Sequence, residues 1–502
     1  MATHASPHAF LALDLGAESG RAVLGRMDRG HLTAEEIRRF PNEPLRESDG
    51  LHWNARRLWQ EMRSAISDAA ARCPRLDSIG VDTWGVDYAL LDAQGELAQN
   101  PFHYRDSRTS GVMERVRRQL TPEYIYGITG LQFLPFNTLY QLCAASEQTP
   151  GLLARARHLL TMPDLFHYWM AGRIACEYTN ASTTQFLDLR TRDWSRELLQ
   201  RLNLPAHFLA PVVQPGTVLG PLKTEIASSH SALASTRVIA PAGHDTGSAF
   251  AAVPSGGKTA LLSSGTWSLL GMETSSPVAN DDALRLNFTN EGGVCGTVRL
   301  LKNITGMWLL ERCRKAWSAQ GSEYSYARLA QMAATAAPLR HLMDPDAPSL
   351  AMPEDMPAAI AELCRNSGQS VPDSPGAFAR AVVESLALKY RLVLESLERL
   401  AGTQFEQIRV VGGGSQNELL NQCTANATGC RVLAGPAEAT ALGNLAMQMV
   451  GAGAVESLDE AREMVARSFP PRVFEPRDRE QWQAALARFR EVIHGATGAR
   501  AS

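Results

Sequence analysis

The chain has 502 residues, of which 45% are hydrophobic and 20% are charged, and its formal net charge is −3. A chain of this length exceeds what one hydrophobic core usually organises, so we expect two domains. The charge gives no electrostatic reason to expect binding to nucleic acid or to an anionic membrane surface, and no apolar run is long enough to span a bilayer.

The first predicted strand, at residues 10–15, is also the most informative element. It contains an acid near its end, Asp14, and leads into a turn of small residues at 16–20 and a second strand at 20–27. The backbone N–H groups of such a turn can approach a phosphate closely, and a divalent cation beside Asp14 would offset the like charges. The alternative is a tight hairpin turn in which Asp14 caps backbone groups.

The next elements continue as strands and helices. We predict a third strand near residues 32–40, a helix over 53–72, and a buried strand over 76–83 that ends in an acid and is followed by Trp84 and Gly85. Strands that alternate with crossover helices predict an α/β sheet whose functional groups lie at the strand ends.

A second strand–turn–strand unit at residues 258–271 repeats the layout of residues 11–25. Two copies half a chain apart suggest a duplicated domain whose turns face each other across a cleft. The Ser- and Ala-rich segment 223–242 is the best boundary. It predicts one domain at 1–242, a second at 243–475, and a terminal helix and tail at 476–502. The alternative is a coincidence of two ordinary hairpins.

A second acid with small polar neighbours follows the apolar residues 238–240. Asp245 would lie at the N-terminus of a helix, where a carboxylate can take the proton of an attacking substrate hydroxyl. His244 and Thr246, on either side of it, can both hydrogen-bond a polyol. The alternative is that Asp245 only caps the helix.

A third loop of small residues lies at 412–414, between a predicted strand at 407–411 and a helix from about residue 418. Three such loops at strand ends, at 16–20, 263–266 and 412–414, can bring several backbone donors to a phosphate chain. Gly413 would leave room for a nucleoside, although a plain turn between strand and helix is the alternative. Helices predicted over 378–400 and 478–494 are amphipathic, and we assign the first to the core.

Other motifs exclude functions rather than suggest them. Residues 256–259 end like a P-loop, but the first glycine of that motif is missing and a strand follows where a helix is needed. No paired Cys/His spacing predicts a zinc site. The eight scattered cysteines and the lack of a secretory signal at residues 1–10 predict free thiols in a soluble, cytoplasmic protein.

These motifs resemble those of the FGGY carbohydrate kinases, and the resemblance covers roughly residues 10–473. It implies an α/β fold of two ribonuclease-H-like domains, of the actin and hexokinase type, with a cleft between them. The first domain would bind the sugar and carry the phosphate loop, and the second would bind the nucleotide. More specific segments resemble the family members that phosphorylate L-rhamnulose: residues 78–87, 104–108, 132–142, 262–268 and 301–304.

The resemblance implies ATP and Mg²⁺ as cofactors, and we expect Asp14 to hold the metal directly or through water. The residues that would contact ATP are Ala17, Glu18, Ser19, Gly20, Arg21, Thr266 and Gly413. The residues that would hold the ketose are Gly85, His244, Asp245, Thr246 and Asn303, with Asp245 as the catalytic base. The chain departs from the family at Glu311, where a nucleotide-contacting Gln is usual. Glu311 would either reach a ribose hydroxyl or point away.

The expected reaction is ATP-dependent phosphorylation of the 1-hydroxyl of L-rhamnulose, in L-rhamnose catabolism. One alternative is a kinase of the same family for fuculose, xylulose or glycerol. A second is a non-catalytic sugar-sensing protein, against which the retention of Asp14 and Asp245 argues. A third is an acyl or polyphosphate phosphotransferase on the same fold. We expect small-molecule partners, neither nucleic acid nor membrane, and a monomer or small homo-oligomer.

Overall fold

The computed structural model describes residues 8–498, which form two compact units. The first unit contains the chain up to Pro254 together with Glu273–Leu300 and Ala439–Pro470. The second contains Ser255–Met272, Leu301–Glu438 and the chain from Pro471 onward. None of the helices in the described range combines the length and the apolar character needed to cross a bilayer.

The strands and helices are numbered here in chain order. The strands are β1 His8–Leu15, β2 Ser19–Asp28, β3 His31–Pro41, β4 Pro44–Glu47, β5 Gly50–Trp53, β6 Ser78–Thr83, β7 Tyr88–Leu91, β8 His158–Thr161, β9 Cys176–Glu177, β10 Leu187–Asp188, β11 Asp193–Trp194, β12 Val212–Val213, β13 Val218–Pro221, β14 Arg237–Ile239, β15 Thr259–Ser264, β16 Trp267–Thr274, β17 Thr289–Gly292, β18 Val298–Thr305, β19 Gln407–Val411, β20 Arg431–Ala434 and β21 Arg472–Phe474. The helices are α1 Ala55–Ala70, α2 Val112–Gln119, α3 Pro122–Thr129, α4 Thr138–Gln148, α5 Pro150–Arg155, α6 Met162–Ala171, α7 Tyr178–Ala181, α8 Arg196–Arg201, α9 Thr224–Ala227, α10 Asp245–Ala251, α11 Asp281–Arg285, α12 Trp308–Ala319, α13 Tyr326–Thr335, α14 Met356–Asn366, α15 Pro375–Ala401, α16 Glu418–Thr428, α17 Ala439–Ala452, α18 Leu458–Ser468 and α19 Arg479–Gly498.

The central sheet of the first unit has six strands in the order β13-β14-β6-β1-β2-β3. Strand β1 is antiparallel to β2 and parallel to β6, and its residues 9–15 are all buried, as expected of a strand covered on both faces. The register pairs Asp14 of β1 with Arg21 of β2 and with Asp82 of β6. Residues paired across neighbouring strands point to the same face of a sheet, so these three charged groups lie together.

Helix α17 covers part of this sheet and packs against β1, β6 and the short helix α10. Its close approach to α10 requires Gly443, because a Cβ at this position would overlap the α10 backbone. Two polar side chains of α17 are fully buried and bond to the sheet. Asn444 Nδ2 donates to the Gly80 carbonyl at 3.2 Å, and Gln448 Nε2 donates to the Leu11 carbonyl at 3.0 Å. A late segment of the chain therefore completes the polar interior of the first unit.

In the second unit, strands β16, β15, β19, β20 and β21 lie side by side in this order. Strands β15 and β16 are antiparallel, and β15 is parallel to β19. The turn between β15 and β16 and the short 3-10 turn Gly413–Gln416 after β19 therefore lie at the same edge of the sheet. The long helix α15 begins after Ser374, whose side chain caps it by accepting the Ala377 N–H.

The strong hydrophobic patterns predicted their elements correctly. The strand–turn–strand units β1–β2 and β15–β16, helices α1 and α15, and strand β19 all form where expected. The segment 223–242, predicted as the domain boundary, contains α9 and β14, and the apolar pair Val238-Ile239 places β14 in the sheet, parallel to β6. The first compact unit also includes the later segments 273–300 and 439–470. The predicted domains at 1–242 and 243–475, with a terminal helix and tail at 476–502, stay a prediction. The sugar and nucleotide roles of the two predicted domains stay predictions. Helix α19 extends further than predicted, and residues 1–7 and 499–502 lie outside the described residues.

Candidate active site

Asp14 lies near the end of β1 and is almost fully buried. Arg21, its cross-strand neighbour, contacts Asp14 Oδ2 with Nε at 2.8 Å and with Nη2 at 2.7 Å. Because both contacts use Oδ2, the Oδ1 atom has no hydrogen-bond partner within residues 8–498. A free carboxylate oxygen is the kind of ligand that a hard divalent cation prefers. Asp14 therefore suits the metal role, which stays a prediction.

The turn after Asp14 carries the residues predicted to contact the ATP phosphates. Ala17 and Glu18 form its tip, and their N–H groups have no hydrogen-bond partner in the described part of the chain. Ser19 and Gly20 begin β2, and a Cβ on Gly20 would overlap the Phe40 ring, so only glycine fits there. The turn thus leaves two backbone donors for an anion.

Asp82, at the end of β6, is a third acid of the first unit and is fully buried. Its Oδ2 accepts the Asn444 Nδ2–H at 2.6 Å, whereas Oδ1 has no partner among the residues that the structure describes. Burial, followed by the negative charge of Asp14, raises the pKa of Asp82 well above its ordinary value. Sequence reasoning found the acid at this strand end but gave it no role.

Asp245 is the first residue of α10, and only one of its carboxylate oxygens is engaged. Oδ1 accepts the Thr246 N–H at 2.5 Å and the Thr246 hydroxyl at 3.1 Å, and it lies 3.3 Å from His244 Nε2. Oδ2 has no partner within residues 8–498, and 33% of the side chain is exposed. Burial raises the pKa of Asp245 above its ordinary value, although His244 opposes the effect. A carboxylate with a free oxygen and a raised pKa is suited to accept a proton near neutral pH.

His244 is fixed by a buried ion pair. Its Nδ1 lies 3.2 Å from Glu291 Oε2 and 3.2 Å from Arg299 Nη2, and these two charged groups are themselves 3.2 Å apart. Arg299 is fully buried, and its Nε donates to the Gly292 carbonyl at 2.9 Å. Burial works against the ionised carboxyl, but Arg299 and His244 outweigh it and hold the pKa of Glu291 below its ordinary value. The opposite ring nitrogen of His244 is therefore directed at Asp245.

The backbone that precedes α10 is held by Glu177, which is fully buried. Its Oε2 accepts the Gly243 N–H at 2.8 Å and the Thr179 hydroxyl at 2.6 Å, and Thr179 Oγ1 in turn accepts the His244 N–H at 3.1 Å. Burial raises the pKa of Glu177 to about 7. The Thr83 N–H donates to the Gly243 carbonyl at 2.9 Å, which ties β6 to the segment carrying the predicted base.

Four predicted site residues lie in the second unit. Thr266 is in the turn between β15 and β16, Asn303 is on β18, and Glu311 is in the first turn of α12. Gly413 begins the 3-10 turn after β19, and a Cβ on it would meet no atom within 4 Å. The open space beside Gly413 is compatible with the close approach of a nucleoside, and its contact with ATP stays a prediction.

Glu311 is not an isolated acid. Its Oε2 accepts Arg314 Nη1 at 2.7 Å and the Tyr326 hydroxyl at 2.6 Å, and Lys315 lies 3.7 Å from its Oε1. The two cations offset its charge, so Glu311 would repel nucleotide phosphates less than an unpaired carboxylate. Whether it contacts the ribose stays a prediction, as does the contact of Asn303 with the ketose.

Two family models match this chain. The FGGY family of carbohydrate kinases, N-terminal domain, matches residues 9–252, and the C-terminal domain of the same family matches residues 260–452. The chain belongs to the FGGY family of carbohydrate kinases. The family resemblance predicted from the motifs is confirmed, and membership in this kinase family implies the use of ATP.

Curated relatives match this FGGY kinase along its length. "Rhamnulokinase" of Bacteroides thetaiotaomicron is 44% identical over 485 residues, which is 96% of this chain and 99% of the relative. "Rhamnulokinase" of Pectobacterium atrosepticum is 42% identical over 486 residues, which is 96% of each chain.

Solved structures show the same fold. Xylulose kinase from Lactobacillus acidophilus superposes with a TM-score of 0.80 at 16% identity, covering 98% of each chain. Plasmodium falciparum glycerol kinase with ADP gives a TM-score of 0.74 at 14% identity, covering 97% of this chain and 98% of that one. The predicted two-domain α/β fold of the FGGY kinases is therefore confirmed.

An aromatic cluster lies next to the predicted substrate residue Gly85. The ring of Trp53 lies against Trp84 and His103, with centroids 4.0 Å apart in both pairs, and His103 stacks on Tyr104 at 4.7 Å. All four rings are at most 8% exposed. Burial lowers the pKa of His103 to about 3, so this ring is neutral in the folded kinase near pH 7.

This shift predicts that His103 destabilises the fold in mild acid. The unfolded chain has an ordinary His pKa of about 6.5 and takes up a proton as the pH falls to 5, whereas the folded chain does not. The stability that the neutral ring contributes is therefore complete above pH 6.5 and is lost as the pH falls towards 3. The Asn side chain in His103→Asn cannot titrate. The amount by which the unfolding free energy of this variant falls below that of the wild type should therefore shrink by about 2 kcal/mol from pH 7 to pH 5.

Urea denaturation at the two pH values measures this change. Phe136→Leu is the matched control, because it removes an aromatic ring that contacts Tyr104 at 5.5 Å without removing a titratable group. The Phe136→Leu deficit should be the same at both pH values. An equal deficit for His103→Asn at pH 7 and pH 5 would contradict the prediction.

The sequence analysis missed the buried charged residues that support the candidate site. Asp82, Glu177, Glu291 and Arg299 are buried charged groups that contact or neighbour the predicted residues. Only Asp82 had a signal, since it ends a predicted strand. The other three are single charged residues in segments without a motif, and only their burial shows their importance.

Proposed function

We propose that this FGGY kinase transfers the γ-phosphoryl group of ATP to the 1-hydroxyl of L-rhamnulose, giving L-rhamnulose 1-phosphate and ADP in the cytoplasm. The observation that carries this proposal is the match to relatives named rhamnulokinase, which are 41–44% identical over 96% of the chain. The polar groups of the first unit support it, because they combine a proton acceptor with donors suited to a polyhydroxy substrate.

The sugar would be held by residues around Asp245. His244, Thr246 and the Gly85 backbone provide polar groups of the kind that bind sugar hydroxyls, and Asn303 of the second unit is proposed to add an amide. The orientation of His244 is set by Glu291 and Arg299 rather than by the sugar. A site fixed in this way before binding loses little freedom when the ketose arrives.

Asp245 is proposed as the base. Its Oδ2 is unengaged, so it can accept the proton of the 1-hydroxyl as that oxygen attacks phosphorus. The hydrogen bonds of Thr246 to Oδ1 hold the carboxylate in one orientation. The raised pKa of Asp245 brings it closer to the working pH, which favours proton transfer.

ATP supplies the phosphoryl group when bound, and Mg²⁺ neutralises charge on its phosphates. The residues proposed to hold the metal and the phosphates are Asp14, through its unengaged Oδ1, and the N–H groups of Ala17 and Glu18. In the second unit, Thr266 and the open space at Gly413 are proposed to face the nucleotide. The carboxylates of Asp14, Asp82 and Asp245 repel one another, and a divalent cation would relieve this repulsion.

A coupled assay of ADP release tests the substrate. We expect kcat/KM for L-rhamnulose to exceed that for L-fuculose, D-xylulose and glycerol by at least about tenfold, a difference that a few hydrogen bonds supply. Phosphorus NMR should place the new phosphate on carbon 1. A higher kcat/KM for another of these acceptors would replace L-rhamnulose by that substrate. If sugar binds but none of these acceptors leads to ADP release, a non-catalytic protein is favoured.

A further inference from the structure

The loop between β6 and β7 contains a strained turn. Val86 has a φ of +68°, a left-handed conformation in which a β-branched residue is an outlier. The Asp87 N–H donates to the Gly85 carbonyl at 2.9 Å, so three residues close a γ-turn of the rare kind with a positive central φ. Such strain persists only where surrounding contacts impose it, and it clusters at active sites and ligand-binding sites.

Side chains from two other segments impose this turn. The Val86 N–H donates to Thr183 Oγ1 at 2.9 Å. The Val86 carbonyl accepts the Thr138 hydroxyl at 2.5 Å and Gln141 Nε2 at 3.3 Å. All three side chains are buried. The strained residue is therefore bonded on both of its peptide groups.

Asp87 anchors the turn, and its side chain is 1% exposed. Its Oδ2 accepts Trp53 Nε1 at 2.6 Å and Trp84 Nε1 at 3.0 Å, and its Oδ1 accepts Gln141 Nε2 at 2.8 Å. Both carboxylate oxygens are thus engaged by neutral donors. The carboxylate fixes Trp84 before the turn and, through Gln141, the carbonyl of Val86.

The same loop is tied to the segment of the proposed base. Asn180 Nδ2 donates to the Trp84 carbonyl and to the Gly243 carbonyl, both at 3.2 Å. Gly85 is half-buried, and its N–H has no partner within residues 8–498. A backbone donor is therefore unengaged in a loop whose position relative to the segment of Asp245 is fixed by hydrogen bonds.

We propose that Asp87 and Thr183 are positioning residues for the ketose, because they hold the strained Val86 turn so that the Gly85 N–H is presented to a sugar hydroxyl. The inference rests on the proposed function, since the sugar concerned is the one that Asp245 deprotonates. Neither side chain touches the reacting atoms. Both therefore set the affinity for the ketose rather than the rate of phosphoryl transfer, since a donor fixed in advance costs little to order on binding.

A pair of variants at Thr183 tests this directly. Thr183→Val removes the acceptor of the Val86 N–H and nearly keeps the side-chain volume, whereas Thr183→Ser keeps the hydroxyl. We expect Thr183→Val and Asp87→Asn to raise the KM for L-rhamnulose by about tenfold, the effect of one lost hydrogen bond. The kcat at saturating ketose and the KM for ATP should stay within about threefold of wild type, and Thr183→Ser should restore the ketose KM.

Asp77→Asn is the matched control for general destabilisation. Asp77 immediately precedes the first residue of β6, whereas Asp82 lies near the other end of this strand. Like Asp87, Asp77 is a buried carboxylate, and it accepts the Ala9 N–H at 2.9 Å. Its loss should lower the melting temperature without raising the ketose KM. Calorimetric titration of each folded variant with L-rhamnulose in the absence of ATP should reproduce the order of the KM values.

The outcomes separate the two proposals. If the wild type turns over the ketose but folded Thr183→Val keeps the wild-type KM and ketose affinity, this inference is overturned while the proposed function stands. If Thr183→Val, Thr183→Ser and Asp77→Asn all raise the KM equally, the role is merely structural and the inference is again overturned. If none of the tested ketoses causes the wild type to release ADP, the proposed function fails and the inference fails with it.

Discussion

Replacing Asp245 by Asn is expected to lower kcat with L-rhamnulose by a factor on the order of 10³, because a positioned general base contributes about 10² to 10⁴ to a rate. The amide keeps the size of the side chain and can still accept the Thr246 bonds through its oxygen. It cannot take a proton at the position of Oδ2. The Kd for ATP should change by less than about threefold, since the proposed role of Asp245 concerns the acceptor hydroxyl.

Steady-state ADP release and equilibrium titration with ATP measure the two effects. Asp281→Asn is the control, because Asp281 is also an acid in the first turn of a helix of the first unit. It should keep wild-type kcat, which separates the loss of a base from the loss of charge at a helix start. A kcat for Asp245→Asn within about threefold of wild type would exclude the role of general base.

Replacing Arg299 by Met is expected to lower the free energy of unfolding of the first unit by about 3 to 5 kcal/mol, the usual cost of breaking a buried ion pair. The Glu291 carboxylate would remain buried without its cation. The Gly292 carbonyl would also lose the Arg299 Nε–H. His244 would lose a contact that orients it towards Asp245, so activity should fall as well.

Urea denaturation monitored by circular dichroism tests the Arg299 prediction. The same substitution at Arg115 is the control, since Arg115 pairs with Glu147 at 2.7 Å but both side chains are at least 40% exposed. Its cost should be under about 1 kcal/mol. Adding Glu291→Gln to Arg299→Met should recover part of the lost stability, because no uncompensated charge is then buried. Equal losses for Arg299→Met and Arg115→Met would refute the buried ion pair as the cause.

The sequence predicted best those features that depend on neighbours along the chain. The turn between β1 and β2 was readable because an apolar strand, an acid and small residues follow one another within a dozen positions. The same local pattern predicted β15 and β16, and the repeated layout of the two units suggested a duplicated domain. The Glu311 ion pair was also within reach, since Arg314 lies three residues later on the same helix.

Features that depend on distant pairing could not be read in the same way. The pairing of Asp14 with Asp82 requires β1 and β6 to lie parallel, and nothing local specifies which strands become neighbours. Arg299 reads as an ordinary charge at a strand position, and its burial beside Glu291 emerges only from the fold. The Ser- and Ala-rich composition of segment 223–242 resembles a linker, and only the fold shows that the three residues of β14 pair with β6.

Helix α17 has a consequence for the synthesis of this protein on the ribosome. The segment up to Pro254 is synthesised before residues 255–438, and α17 follows only after them. At about 5–20 residues per second, this delay is roughly 10 to 40 s. Until α17 arrives, the nascent sheet lacks Asn444 and Gln448, and the apolar surface that the helix covers on β1 and β6 stays in contact with solvent or with a chaperone. The first unit therefore begins to form early but can reach its native state only near the end of translation.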